Sequence, residues 1–377
     1  MVLVRNKVIG TSYRNVLKPI LFQFDPEKVH DRFINTGRVL GKHAFTRELT
    51  NAILSYENIR LSQVIKGVKF TNPIGLSAGF DKDANLVNII GDVGFGFIEV
   101  GSVTGKPCKG NDKPRLWRLK KSKSLLVFYG LMNDGCEKIA ERLKDNKCKV
   151  PLGISIAKTN DASTVETEAG IKDYYKAFDT LKDIGDFFVI NISCPNAFGG
   201  EPFTDVKKLE SLLSELDKIK VSKPIFLKLS PDLDFDQVDE ILDVANKHNV
   251  DGFICTNLTK KNSPLLKDER PFEKGGMSGK VVNDLSVKLV RQVYTKTKGE
   301  KVIIGCGGVF NAEDAYKMMR NGASLVQMIT GMVFQGPQVI SEINMGLVRL
   351  MERDGINSIR DLVGIDVKKV INVESNE

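Results

Sequence analysis

From residue 72 onward, short apolar and β-branched runs alternate with longer stretches in which apolar positions return every three or four residues. The runs extend from Pro73 to Leu76, Phe95 to Val100, Leu152 to Ile156, and Phe187 to Asn191. Four more extend from Ile225 to Leu229, Gly252 to Thr256, Val302 to Gly305, and Ser324 to Ile329. Their near-continuous apolarity fits parallel strands covered on both faces. Between them, stretches such as 236–247 bring Val238, Ile241, Leu242 and Ala245 onto one helical face. Eight strand–helix repeats over roughly 270 residues predict a (β/α)8 TIM barrel of the α/β class. The alternative, a doubly wound sheet, lacks a Gly-x-Gly-x-x-Gly after its first strand.

Ahead of the barrel, Tyr13, Val16, Leu17, Ile20, Leu21 and Phe24 recur at helical spacing, with Pro19 expected to kink the run. Asp25-Pro26-Glu27 reads as an N-cap followed by proline at the first helical position, opening a second helix through Val29, Phe33, Ile34 and Leu40. Two roles are open to these helices: capping the barrel bottom, or lying on a membrane and admitting an apolar co-substrate. The expected domains are a small N-terminal helical extension over 1–65, a barrel over 66–345, and a closing helix with a tail over 346–377. The tail ends in a stretch expected to be mobile, from Glu374 to Glu377.

Composition narrows the function without naming it. A hydrophobic fraction of 42% supports a real core, and 27% charged residues argues against disorder. Lys and Arg exceed Asp and Glu by 55 to 47, a mild excess read as a solvated surface, with no aromatic-interleaved basic run to bind nucleic acid. The six cysteines form no C-x-x-C pair and no metal-ligand spacing with the three histidines, so no metal is expected. With no signal peptide in view, the expected location is intracellular, in the cytoplasm or peripheral on the inner face of the membrane.

In a TIM barrel the chemistry sits where the strands end, and here those ends are polar or glycine-rich. They carry Ser77-Ala-Gly-Phe-Asp-Lys82, Gly101-Ser-Val-Thr104, Asn191-Ile-Ser-Cys-Pro-Asn196, Lys228, Thr256-Asn257, Gly305-Cys-Gly-Gly308 and Thr330-Gly331. Glycines after strands 7 and 8 suit a phosphate held by backbone N–H groups. Two lysines and an asparagine-rich rim point to a phosphorylated planar cofactor and a polar anionic substrate. Lys228, inside an apolar strand, needs an electron-rich ring or an anion beside it unless it snorkels outward. Cys194 sits in a turn at a strand end, which favours a catalytic thiol over a buried apolar one.

Several segments resemble the FMN-dependent dihydroorotate dehydrogenases of pyrimidine synthesis. Residues 17–30 resemble the N-terminal extension of the membrane-associated, quinone-using class 2 enzymes; 72–82, 94–104 and 110–118 resemble the same class. Gly275-Gly-Met-Ser-Gly279 matches the family's G-G-x-S-G loop. The resemblance implies that Ala78, Gly79, Ser102, Ser155, Lys228, Thr256, Gly279, Gly307, Gly308, Thr330 and Gly331 contact FMN. It implies that Asn191 touches flavin and substrate, and that Lys82 pairs with the dihydroorotate carboxylate. Gly130, Leu131, Asn133, Asn196 and Asn257 fall around the substrate ring, and Cys194 falls on the family's base. The implied chemistry is removal of the C5 proton by Cys194 and passage of the C6 hydride to flavin N5, yielding orotate, with a quinone as acceptor. A thiol, ordinarily near pKa ~8.5, serves as base at neutral pH once modestly lowered.

The chain also departs from the class 2 pattern. That class resembles N-x-S-S-P-N with a serine base, whereas Cys194 is the residue of class 1. Val127 stands where the family has an asparagine, Leu258 where it has a hydroxyl, and Ser155 where class 2 has an asparagine; Asn133 is a candidate to compensate. The alternatives are a flavoenzyme of the same barrel acting on another dihydropyrimidine-like ring, or a class 1-like enzyme with a soluble acceptor such as fumarate.

Overall fold

All eight predicted runs become strands of one closed, all-parallel barrel in the computed structural model, which describes residues 2–368. They are β1 (Ile74–Leu76), β2 (Phe97–Val103), β3 (Leu152–Ile156) and β4 (Phe187–Asn191), then β5 (Ile225–Leu229), β6 (Gly252–Cys255), β7 (Val302–Cys306) and β8 (Leu325–Met328). Each strand pairs with the next, and β8 returns to β1 with Val326 opposite Ile74. Every residue of β1 to β6 and of β8 is buried, which is why the sequence shows continuous apolarity and not alternation.

The barrel bottom is plugged by aromatic rings. Phe97, Phe187 and Phe226 lie at the strand starts, and Phe70 closes over them from a hairpin of Gln63–Ile65 and Val68–Phe70. Gly75 and Gly153 make room, because a Cβ there would stand 2.3 Å from the Phe97 ring and 2.2 Å from the Phe187 ring. The hairpin therefore caps the bottom, and the N-terminal helices do not. They lie at the opposite end, where Leu21, Phe22, Val29 and Phe33 border the strand C-termini.

The extension holds four helices where two were expected: Val2–Ser12, Lys18–Leu21, Pro26–Leu40 and Ala44–Leu54. A wide π turn, Tyr13–Leu17, joins the first two. It falls directly before Pro19, whose ring removes the N–H that a regular helix would aim back at residue 15. The Asp25 cap is present, its side chain accepting from the Lys28 N–H at 2.8 Å. Helix Ala44–Leu54 escaped sequence reading because His43 offers it no side-chain cap.

Two expected domain boundaries fall inside elements. Helix Val339–Arg353 runs unbroken through residue 345 and buries Ile340, Ile343, Leu347 and Met351 in the main core. The first helix leans on it, with the Asn6 amide donating to Ser341 Oγ at 2.9 Å. The boundary at residue 65 cuts the turn of the bottom hairpin. Glu374 to Glu377 lie outside the described residues.

Candidate active site

Above the strand ends opens a cavity of about 310 Å³, within the range of small-molecule sites. Among the predicted cofactor residues, Ala78, Gly79, Ser102, Asn191, Lys228, Thr256, Gly279, Gly307, Gly308, Thr330 and Gly331 line it. So do Lys82, Gly130, Leu131, Cys194, Asn196 and Asn257 from the substrate and base set. Gly79 has a φ of +100°, and a Cβ there would meet nothing within 4 Å, so the space beside the first strand end stays open.

Two expected contacts are absent from the wall. Ser155 lies behind it, 2.7 Å from Ser102 Oγ, which in turn accepts from Asn191 Nδ2 at 2.8 Å. Asn133 is spent on its own loop: Nδ2 donates to Thr104 Oγ1 and to the Leu131 carbonyl, both at 2.8 Å, and Oδ1 accepts from the Gly135 N–H. It clamps the loop to β2 and leaves no amide group to compensate for Val127. Both Val127 and Leu258 do line the cavity.

The turn after β4 is built from its own polar side chains. Asn191 Oδ1 accepts from Ser193 Oγ at 3.1 Å and from Asn257 Nδ2 at 3.2 Å, while Tyr174 Oη donates to the Asn191 carbonyl. Asn196 Nδ2 donates to the Val127 carbonyl at 2.9 Å, and its Oδ1 is buried without a partner. Cys194 is thereby held at the cavity wall. Its thiol is not lowered as expected: burial pushes it up to about 11, against the Asn196 N–H and the charges of Lys158 and Lys260. Lys158, unnoticed in the sequence, is itself buried and donates to the Phe198 carbonyl at 2.9 Å.

Lys228 does find an anion, though one supplied by the chain itself. Its ammonium lies 3.4 Å from both oxygens of Glu99, a fully buried carboxylate on β2. Lys82 differs: among the described residues no carboxylate stands within 4 Å of it. Its ammonium sits 3.9 Å over the Tyr129 ring and 3.3 Å from His30 Nε2, and burial lowers its pKa to about 8. A buried, unneutralised ammonium is a receptor for an anion. His30 arrives on helix Pro26–Leu40, which is tied down by Glu27 Oε1 accepting from Arg115 Nη2 at 2.8 Å.

Toward the N-terminal helices the same cavity turns apolar, lined by Tyr13, Leu21, Phe22, Pro26, Val29, Phe33 and Val333. Arg118 stands at this end, 4.6 Å from the Phe22 ring centre, and donates to the Phe24 carbonyl at 2.8 Å. The site is thus one space with a polar, cationic end and an apolar one.

Comparison with known proteins places these features in a lineage. The family model for dihydroorotate dehydrogenase matches residues 60–351. The dihydroorotate dehydrogenase (quinone) of Natronomonas pharaonis is 39% identical over 355 residues, covering 93% of this chain and 99% of its own. That of Nostoc punctiforme is 36% identical over 373 residues, covering 94% and 98%. The ligand-free crystal structure of DHODH from Eimeria tenella superimposes with a TM-score of 0.80 at 31% identity, covering 91% of this chain and 99% of that one.

Proposed function

The chain belongs to the dihydroorotate dehydrogenase family, and from that premise we propose that it oxidises (S)-dihydroorotate to orotate with bound FMN and passes the electrons to a quinone. The observation that carries the substrate assignment is Lys82, a buried ammonium with no carboxylate within 4 Å among the described residues, facing a cavity beside the unpartnered Asn196 Oδ1. A ring carrying a carboxylate and N–H groups answers both. The glycine-rich ends of β7 and β8, with the open side of Gly79, fit a phosphorylated planar cofactor.

FMN, held by the residues after β1, β7 and β8, would supply a two-electron acceptor for the C6 hydride and a donor to the quinone. The chain supplies the rest. Lys82 takes the carboxylate, and Asn191, Asn196 and Asn257 hold the ring at transfer distance. Cys194 removes the C5 proton, and Lys228 faces the negative charge that arrives with the hydride. The apolar end of the cavity supports a quinone over a small soluble acceptor such as fumarate. No helix among the described residues is long and apolar enough to cross a membrane. Among the described residues, thirteen of eighteen exposed large apolar side chains lie in the first 59 positions, which supports peripheral contact with a lipid surface there.

A second reading, another dihydropyrimidine-like substrate, is favoured by Val127 and Leu258, which put two apolar side chains on the wall. Anaerobic titration of the purified flavoprotein with dihydroorotate separates the two. Bleaching of the oxidised flavin band, restored by a soluble quinone, is expected. Flavin that stays oxidised with dihydroorotate but bleaches with another dihydropyrimidine establishes the second reading.

A further inference from the structure

Beneath the cavity floor, several barrel strands converge on a buried polar cluster. Glu99 on β2 is 0% exposed, lies 3.4 Å from Lys228 Nζ on β5, and accepts a 2.7 Å bond from Gln327 Nε2 on β8. Ser77 Oγ, after β1, stands 3.3 Å from the same ammonium and 3.5 Å from Cys306 Sγ at the end of β7. Lys228, Ser77 and Cys306 line the cavity, whereas Glu99 and Gln327 stand behind them. Every position of β2 is buried, and its other side chains are apolar up to Gly101 and Ser102. A carboxylate in that place contributes nothing to apolar packing and carries a heavy desolvation cost unless its charge is used.

We propose that Glu99 is a positioning residue for the flavin chemistry. As the fixed counter-ion of Lys228, held by Gln327 on the side away from the cavity, it holds that ammonium in place and aimed at the cofactor. It rests on a flavin lying against Lys228, as proposed above. A hydride brings two electrons and one proton's charge, so its arrival adds one negative charge beside the ammonium. Glu99 balances the ammonium and fixes its place before that charge arrives, so Lys228 need not reorganise to meet it. The groups facing Lys228 are few: Glu99 from β2, Ser77 from the end of β1, Asn191 opposite it on β4, and Cys306 from β7, whose thiol burial pushes up. Ile254, its neighbour on β6, carries no charge.

The test is Glu99→Gln in the full-length flavoprotein, read with inorganic sulfite. Sulfite forms a bond from its sulfur to flavin N5 and leaves negative charge on the ring, so its affinity reports the positive charge nearby. Sulfite's own ionisation cancels in the ratio of variant to wild type. The expected result is sulfite binding roughly tenfold tighter than wild type, because the positive charge of Lys228 is then no longer offset. The midpoint potential of the flavin should rise with it. A ratio near one, with flavin retained, overturns the proposal. Should Glu99→Gln lose its flavin, the double variant Glu99→Gln/Lys228→Met buries no charge and should regain flavin, with weak sulfite binding. A folded double variant without flavin overturns the proposal. Wild type purified without flavin defeats both this inference and the function it rests on, whereas a flavin that ignores dihydroorotate defeats only the substrate assignment.

Discussion

A thiol held near pKa 11 by burial is a poor base at neutral pH, and the base we propose, from its place at the end of β4, is nonetheless Cys194. Its replacement by alanine should slow flavin reduction by dihydroorotate by about 10²–10⁴, the usual loss for a general base, with flavin content unchanged in stopped-flow samples. Lys82 sets a second expectation. Its pKa near 8 means that the charged form, which binds a carboxylate, is present below that pH and is lost above it. Affinity for dihydroorotate should therefore weaken as the pH rises past about 8, and Lys82→Met should bind weakly at every pH, as followed by flavin perturbation on titration. These residues were legible because a strand end is a one-dimensional property: an apolar run stops, and the next few residues face the site. Asn133 and Ser155 were misjudged because loop direction and depth behind a wall are not. His30 and Glu99 were invisible as site residues for a different reason, since their partners lie 52 and 129 positions away.

Among elements, the barrel strands were readable from continuous apolarity, and helix Pro26–Leu40 from its aspartate cap and leading proline. What the pattern lacked was docking. That helix buries only Glu27 among its residues, so its placement depends on the pair with Arg115, both side chains 6% exposed. Removing Arg115 leaves Glu27 only the largely exposed Lys113, 3.1 Å away, so Arg115→Met should cost up to about 3 kcal/mol in chemical denaturation, less than a fully stranded buried charge. Burial would raise the Glu27 carboxyl, but Arg115 and Lys113 outweigh it and hold the pKa below its ordinary value. The pair's contribution is thus present above the ordinary carboxylate range and is lost as the pH falls through the lowered pKa. Arg115→Met should be correspondingly less sensitive to acid, measured as the stability difference from wild type at low and neutral pH. The hairpin that plugs the barrel bottom is another case: its two three-residue strands are too short for periodicity to reveal, and Phe70 found its role only through the rings it meets.

At the scale of the whole molecule, the two ends of the barrel have opposite characters. One is sealed with phenylalanine; the other opens among helices whose apolar side chains face outward, including Leu17, Ile20, Phe24 and Phe33. The double change Ile20→Ser/Phe24→Ser should leave flavin reduction by dihydroorotate unaltered while lowering flotation with anionic lipid vesicles and reoxidation by a long-chain quinone. Equal loss of both half-reactions would show that the helices serve the barrel and not a membrane. The outward apolar face also explains why the extension was readable as amphipathic yet not as to its location, since periodicity reports a stripe and never what covers it.

The 3.3 Å approach of His30 to Lys82 joins the apolar and cationic parts of the cavity, because one nitrogen comes from the helical extension and the other from the lysine proposed to hold the anion. Any occupant of the apolar end that shifts His30 changes the surroundings of the ammonium, and an anion on Lys82 changes those of the imidazole. Thermodynamic reciprocity then makes the two effects equal: an inhibitor lodged among the helices must alter orotate affinity by the same factor by which orotate alters its own. His30→Ala should bring both factors to one.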